Sequence, residues 1–139
     1  MNNFVVVDAP TERAVFQQDA KQKSDIKVSG RCGGEATHVK IVASINGKLQ
    51  NSFTVDLSED QSFLTIIELG AGGWYHLQFH AVCGEKILAT TDVEKVGVGE
   101  VLITAGQSNS ANHGYPKQNA EDDRIVALGE NGWQTADDP

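Results

Sequence analysis

The hydrophobic pattern from Asn2 to about Lys95 has a period of two, and this period predicts short β-strands rather than helices. The stretch from Trp74 to Cys83 alternates most regularly. One face would carry Tyr75, Leu77, Phe79 and Ala81, and the other Trp74, His76, Gln78 and His80. Seven or eight such segments separated by turn residues predict a mainly β fold, an immunoglobulin-like or fibronectin-like β-sandwich over residues 1–97.

A hairpin is predicted in the middle of this region. Val39, Ile41, Ala43 and Ile45 alternate with Lys40, Val42 and Ser44, and a second strand candidate runs from Leu49 to Leu57. Between them lies Asn46-Gly47, a pair that tolerates positive φ and is the strongest short hairpin signal in a sequence.

The pattern changes in residues 98–139. An apolar run at Val101–Ile103 stops before Gly106, polar residues follow, and a second apolar stretch spans Ile125–Leu128. This order predicts a strand, a tight turn and the first β-α-β piece of an α/β layer. We therefore expect residues 98–139 to be the truncated start of a second domain.

Ser108 follows the predicted strand and turn, the position in which α/β hydrolases expose a nucleophile. Gly106 would allow the sharp turn, and the backbone N–H of Ser108 would stabilise an oxyanion. Gln107 and Asn109 would hold the turn through side-chain hydrogen bonds to the backbone. His113 is too close in sequence to act as the base, and we expect it to be solvent-exposed or to contact substrate. A serine in a glycine-rich turn can also be a turn residue or helix cap without catalytic role.

The run GEVLITAGQSNSANHG resembles block I of the SGNH hydrolase superfamily, in the GQSN form of the sialate O-acetylesterase-like carbohydrate esterases. Three upstream segments look like the β-sandwich that precedes block I in these enzymes: AVFQQD (14–19), GGWYHLQF (72–79) and VGVGEV (96–101). Downstream, NGWQTADDP (131–139) looks like the segment that follows it.

The resemblance implies a serine esterase that removes O-acetyl groups from sialic acid or a polysaccharide, with Ser108 as nucleophile and without a metal or organic cofactor. It also implies a histidine base from a D-x-x-H motif. None of the four histidines has an aspartate three residues before it, so we expect these 139 residues to lack the base and to be inactive alone. The alternative is a non-catalytic binding or scaffolding module. In either case Trp74 would stack on a sugar or pack at a domain interface.

The composition limits the classes of partner that we expect this chain to bind. A hydrophobic content of 40% with 22% charged residues is typical of globular chains. The net charge of −8 argues against nucleic acid and anionic membranes as partners. No secretory signal is visible at the N-terminus, although a periplasmic or secreted parent protein is favoured by the resemblance. Cys32 and Cys83 are expected either to stay unpaired or to form one bridge, and the oligomeric state is open.

Overall fold

The computed structural model describes residues 2–106 and 119–137. These residues form strands and connecting turns. The strands are β1 (Phe4–Ala9), β2 (Val15–Gln17), β3 (Lys23–Gly33), β4 (His38–Ile45), β5 (Lys48–Asp56), β6 (Ser62–Gly70), β7 (Tyr75–Cys83), β8 (Lys86–Gly99), β9 (Val126–Gly129) and β10 (Gly132–Thr135).

The first eight strands form two sheets that pack face to face. One sheet has the order β1-β3-β6, and the other has the order β2-β8-β7-β4-β5. Every neighbouring pair is antiparallel except β2, which runs parallel to the end of β8. This arrangement confirms the predicted mainly β fold with a β-sandwich of immunoglobulin-like or fibronectin-like character.

Alternation along the strands places the apolar side chains between the sheets. On β7, Tyr75, Leu77 and Phe79 are at most 5% exposed, whereas the residues between them face outward. Phe63 of the first sheet meets Phe79 of the second, with ring centroids 6.3 Å apart. Burying one such aromatic side chain stabilises a fold by roughly 2–3 kcal/mol, so these residues form the centre of the sandwich.

The predicted hairpin is confirmed. Ile45 pairs with Lys48, and the two residues between them have φ angles of 50° for Asn46 and 78° for Gly47. Positive φ at both positions is what a two-residue type I′ turn requires.

Tyr75 anchors the crossing from β6 to β7. Its hydroxyl donates a hydrogen bond to the backbone carbonyl of Gly70 at 2.7 Å. A tyrosine at the start of the corresponding strand, bonded to the backbone a few residues upstream, is a recurring feature of immunoglobulin-like sandwiches. Desolvation by burial raises the pKa of this hydroxyl.

Residues 98–106 differ from the prediction. Strand β8 continues to Gly99, two residues past the predicted end of the sandwich, because Phe16 and Gln17 pair with Val98 and Gly99. The predicted opening strand of an α/β layer at Val101–Ile103 is not formed. In the described part of the chain no strand pairs with this run, so its backbone is not part of a β-ladder.

The apolar stretch Ile125–Leu128 also differs from the prediction. Strand β9 pairs antiparallel with β10, from Gly132 opposite Gly129 to Thr135 opposite Val126. The described residues of the second predicted domain therefore contain a β-hairpin, and the β-α-β unit stays a prediction.

Both cysteines are free. Cys32 is buried on β3, and burial raises the pKa of its thiol, while Cys83 at the end of β7 is half-buried. The sequence left open whether Cys32 and Cys83 stay unpaired or form one bridge, and in the structure they are unpaired.

Among residues 2–106 and 119–137, no helix has the length and apolar character needed to cross a bilayer.

Candidate functional site

The candidate site lies where β8 leaves the sandwich and the chain continues toward the GQSN segment. Strand β2 holds this exit from one side: Val15 pairs with Gly97 and Gln17 with Gly99. The backbone N–H of Gln18 then donates to the carbonyl of Gly99 at 2.8 Å. The exit of β8 is thus a paired strand end rather than a free linker.

Three side chains, which we call the exit clamp, extend this pairing by one residue: Gln17, Gln18 and Glu100. The Glu100 carboxylate accepts hydrogen bonds from the amide Nε2 of Gln17 at 3.1 Å and from that of Gln18 at 2.7 Å. The Gln17 Oε1 accepts the backbone N–H of Val101 at 2.9 Å. The hydrogen bond from Gln17, followed in size of effect by that from Gln18, stabilises the charged carboxylate and holds the pKa of Glu100 below its usual value.

Trp74 packs on the same strand end. A Cβ atom added at Gly97 would lie 2.8 Å from Cζ3 of the indole and 3.6 Å from a methyl of Val15. Only a glycine lets the indole lie this close to the backbone of β8. The indole Nε1 is buried, and no residue in the described part of the chain accepts its hydrogen.

Beyond the exit clamp, the chain is exposed up to the predicted nucleophile turn. Leu102 is 84% exposed and Ile103 is 94% exposed. Gly106 has φ 148°, a value that favours glycine, which fits the sharp turn predicted there. The remaining predicted site residues lie outside the described residues: Gln107, Ser108, Asn109 and His113.

A groove of about 880 Å³ runs between the exit of β8 and the β9–β10 hairpin. Trp74 borders it from the sandwich, and Trp133 of β10 borders it from the hairpin. Glu100 and Leu102 line the connecting stretch. The polar side chains of the lining are Glu100, Thr104 and Arg124, and the two indoles supply aromatic surface on which a sugar ring can stack.

Two ion pairs fix the hairpin side of this groove to the sandwich. The carboxylate of Asp123 lies 3.0 Å from the guanidinium of Arg13 and 3.2 Å from the ammonium of Lys95. The hydrogen bond from Arg13, and to a smaller extent the one from Lys95, lowers the pKa of the Asp123 carboxyl. Next to it, the Arg124 guanidinium bonds the Asp122 carboxylate at 2.6 Å and lowers the pKa of that carboxyl to about 2.

The three histidines of the sandwich, His38, His76 and His80, are half-buried on strands β4 and β7. His76 Nε2 lies 3.1 Å from the Asp92 carboxylate, but in the described part of the chain it makes no hydrogen bond. His80 Nδ1 lies 3.0 Å from the hydroxyl of Thr90. Both rings project from the same face of β7, as the alternation predicts.

In the part of the chain that the structure describes, no group of three or more His, Cys, Asp or Glu side chains is placed to hold a metal ion.

The exit clamp was not predicted from the sequence, although its members fall within two of the segments that carry the esterase resemblance. Gln17 and Gln18 belong to AVFQQD, and Glu100 belongs to VGVGEV. Trp133 was also missed as a groove residue. A signal was available, because Asn131-Gly132 is a turn-type pair next to Trp133, although the turn itself is made by Glu130 and Asn131.

No family model matches the chain, and comparison with curated proteins gives no match. Solved structures do resemble it. An engineered protein has a TM-score of 0.53 at 15% identity, over 71% of this chain and 20% of its own. The β-glucuronidase of Bifidobacterium dentium, solved with coumarin-3-O-glucuronide, has a TM-score of 0.49 at 11% identity, over 96% of this chain and 20% of its own.

The fibronectin type III-like modules of CbhA from Clostridium thermocellum have a TM-score of 0.45 at 20% identity, over 71% of this chain and 99% of theirs. At these identities the likeness concerns the fold alone. The chain spans about 20% of the length of the first two structures.

Proposed function

We propose that this chain is the N-terminal part of a carbohydrate O-acetylesterase, with Ser108 as its nucleophile. In this proposal the β-sandwich is an accessory domain, and its last strand delivers the chain to the nucleophile turn. The substrate class is an O-acetylated carbohydrate, such as an acetylated sialic acid or polysaccharide.

The observation that supports the proposal is the convergence of three sequence segments at the exit of β8. AVFQQD, GGWYHLQF and VGVGEV resemble esterase sequence, and they are far apart in the chain. In the fold, Val15 pairs with Gly97, Trp74 packs on Gly97, and Glu100 bonds both glutamines. Each segment therefore contributes to holding the strand end that leads into GQSN.

The proposed reaction is acyl transfer through a covalent intermediate. The Ser108 hydroxyl attacks the acetyl carbonyl, a histidine takes its proton, and the backbone N–H of Ser108 stabilises the oxyanion. Collapse expels the sugar alcohol, which receives the proton from the histidine. Water then attacks the acetyl-serine and gives a proton to the histidine, and the intermediate collapses to acetate as the histidine returns that proton to the Ser108 oxygen.

The proposal assigns the histidine base to sequence outside these 139 residues. His38, His76 and His80 lie on strands β4 and β7, and the side chains beside them are those of Thr37, Asp92 and Thr90. An isolated chain should accordingly be a poor esterase.

Hydrolysis of p-nitrophenyl acetate tests this proposal. The chain, a form extended past Pro139, and Ser108→Ala in that extended form are compared, with Ser110→Ala as the matched control two residues away. We expect activity in the extended form that Ser110→Ala retains and Ser108→Ala loses by at least about a hundredfold. Equal rates for the two variants would overturn the nucleophile assignment.

A carbohydrate-binding module is the second candidate, and the groove between Trp74 and Trp133 favours it. Stacking of a sugar on either indole would change tryptophan emission when acetylated xylan is added. Trp133→Phe should weaken that binding by roughly fivefold or more if the ring stacks on the sugar. Unchanged emission over a full titration would exclude this function for xylan.

A further inference from the structure

The two main sheets end in four outer strands, β1, β2, β5 and β6. An outer strand exposes unpaired backbone N–H and C=O groups and can pair with another chain, so natural sheets protect such edges with bulges, charges, prolines or short length. Three of these four strands carry protection of that kind.

Strand β1 has a bulge between Val7 and Ala9, with the charged Asp8 as the extra residue, and Pro10 follows. Strand β2 is only three residues long, and Gln17 belongs to the exit clamp.

Strand β5 is protected by its own side chains. Its pairing with β4 shifts between Ala43 and Ser44, which leaves Gln50 without a partner residue. The amide of Gln50 donates to the carbonyl of Lys48 at 3.2 Å, and the backbone N–H of Ser52 donates to the side chain of Asn51 at 2.8 Å. The bulge and these local bonds disfavour addition of another strand.

Strand β6 has no such protection. It pairs with β3 over nine residues without a shift in register, and it contains no proline and one charged residue, Glu68. Leu64 is 65% exposed and Ile66 is 67% exposed on its outward face. In the described part of the chain no strand pairs with its free edge.

We propose that the free edge of β6 pairs antiparallel with β6 of a second copy of this chain, joining two three-stranded sheets into one of six strands. The two-fold axis would pass through Thr65. In this register Leu64 of each copy lies opposite Ile66 of the other, and the buried Phe63 lies opposite Ile67.

The register centred on Thr65 is favoured over one centred on Ile66 because of the residues that each places opposite one another. Centring the pairing on Ile66 would put Leu64 opposite the Glu68 carboxylate, whereas centring it on Thr65 puts apolar against apolar and Ser62 against Glu68. Directly opposite residues in an antiparallel pair share a face, so the exposed pairs stay outward and the buried pairs stay inward. The self-complementarity of one short strand therefore identifies a second copy as the partner.

Sedimentation equilibrium of the whole chain tests this pairing. We expect a mass that rises with concentration from 14.9 kDa toward twice that value. Ile66→Lys should raise the dissociation constant by roughly tenfold or more, because both symmetric apolar pairs are lost. The matched control is Leu49→Lys, since Leu49 is 66% exposed on the protected strand β5.

The proposal is overturned if the chain stays monomeric up to about 0.5 mM, or if Leu49→Lys dissociates the dimer as strongly as Ile66→Lys. If circular dichroism shows that Ile66→Lys is unfolded, Leu64→Lys tests the same edge, because Leu64 lies opposite Ile66 in the proposed pairing. A cysteine pair checks the register: a mixture of Leu64→Cys and Ile66→Cys should form a disulfide-linked dimer more readily than either variant alone. Preferential linkage of Ile66→Cys with itself would contradict the register centred on Thr65.

Discussion

Replacing Gly97 by alanine probes the contact that ties Trp74 to the exit of β8. The added Cβ would lie 2.8 Å from Cζ3 and 3.3 Å from Cε3 of the indole. Non-bonded carbons prefer separations of about 3.5–4.0 Å, so the ring and the strand must move apart by at least about 0.7 Å. Gly99, two residues later, has no atom within 4 Å of an added Cβ and is the matched control.

The cost follows from packing. Overfilling a well-packed site typically costs about 1–3 kcal/mol. Because Trp74 borders an open groove, the ring can shift partly into it, and we expect the lower part of that range. Alanine at Gly99 meets no clash and should be neutral or stabilise by up to about 1 kcal/mol through the unfolded chain. The two variants should therefore differ by about 2 kcal/mol in the free energy of unfolding, or roughly 8 °C in Tm.

Urea denaturation in a Trp133→Phe background measures both effects, because Trp74 is then the single tryptophan. We expect Gly97→Ala to lower the unfolding midpoint and to shift the native emission toward that of a more exposed indole. Gly99→Ala should change neither. Equal stabilities of the two alanine variants, with identical emission spectra, would refute the packing of Trp74 on β8.

Other positions give further tests. Phe63→Ala should destabilise the fold by about 3–5 kcal/mol in urea denaturation, whereas the neighbouring Leu64→Ala should cost under about 0.5 kcal/mol. Tyr75→Phe should cost about 1 kcal/mol. Because burial raises the pKa of Tyr75 in the folded state, the neutral hydroxyl contributes to the free energy of unfolding below the ordinary tyrosine pKa. This contribution is lost as the pH rises through the raised pKa, and Tyr75→Phe should abolish that loss. Asp122 should titrate by NMR near pH 2, and Arg124→Gln should return its midpoint toward the ordinary value of 3.8; a midpoint unmoved by that change would contradict the pairing.

Local signals in the sequence predicted most of the sandwich. The alternation around Tyr75 specifies which face of β7 is buried, and Asn46-Gly47 specifies a two-residue turn, because both properties depend on near neighbours. The run at Val101–Ile103 was predicted as a strand on its apolar character alone. Apolar character does not say whether a partner strand lies beside the run.

The candidate site was harder to predict because its contacts connect distant parts of the chain. Gln17 and Glu100 are 83 residues apart, and both are polar and on the surface, where composition gives no sign of pairing. Trp74 and Gly97 likewise meet only once the sheets have formed. A glycine in a strand does indicate close approach by another group, but the sequence does not identify that group.

Covalent labelling of Ser108 is the most direct test of the proposed function. The form extended past Pro139 would be treated with a fluorophosphonate, which phosphonylates an activated serine with loss of fluoride, and the modified peptide would be mapped by mass spectrometry. We predict one label on Ser108, which is absent in Ser108→Ala and retained in Ser110→Ala. A label elsewhere, or labelling that Ser108→Ala leaves unchanged, would contradict it.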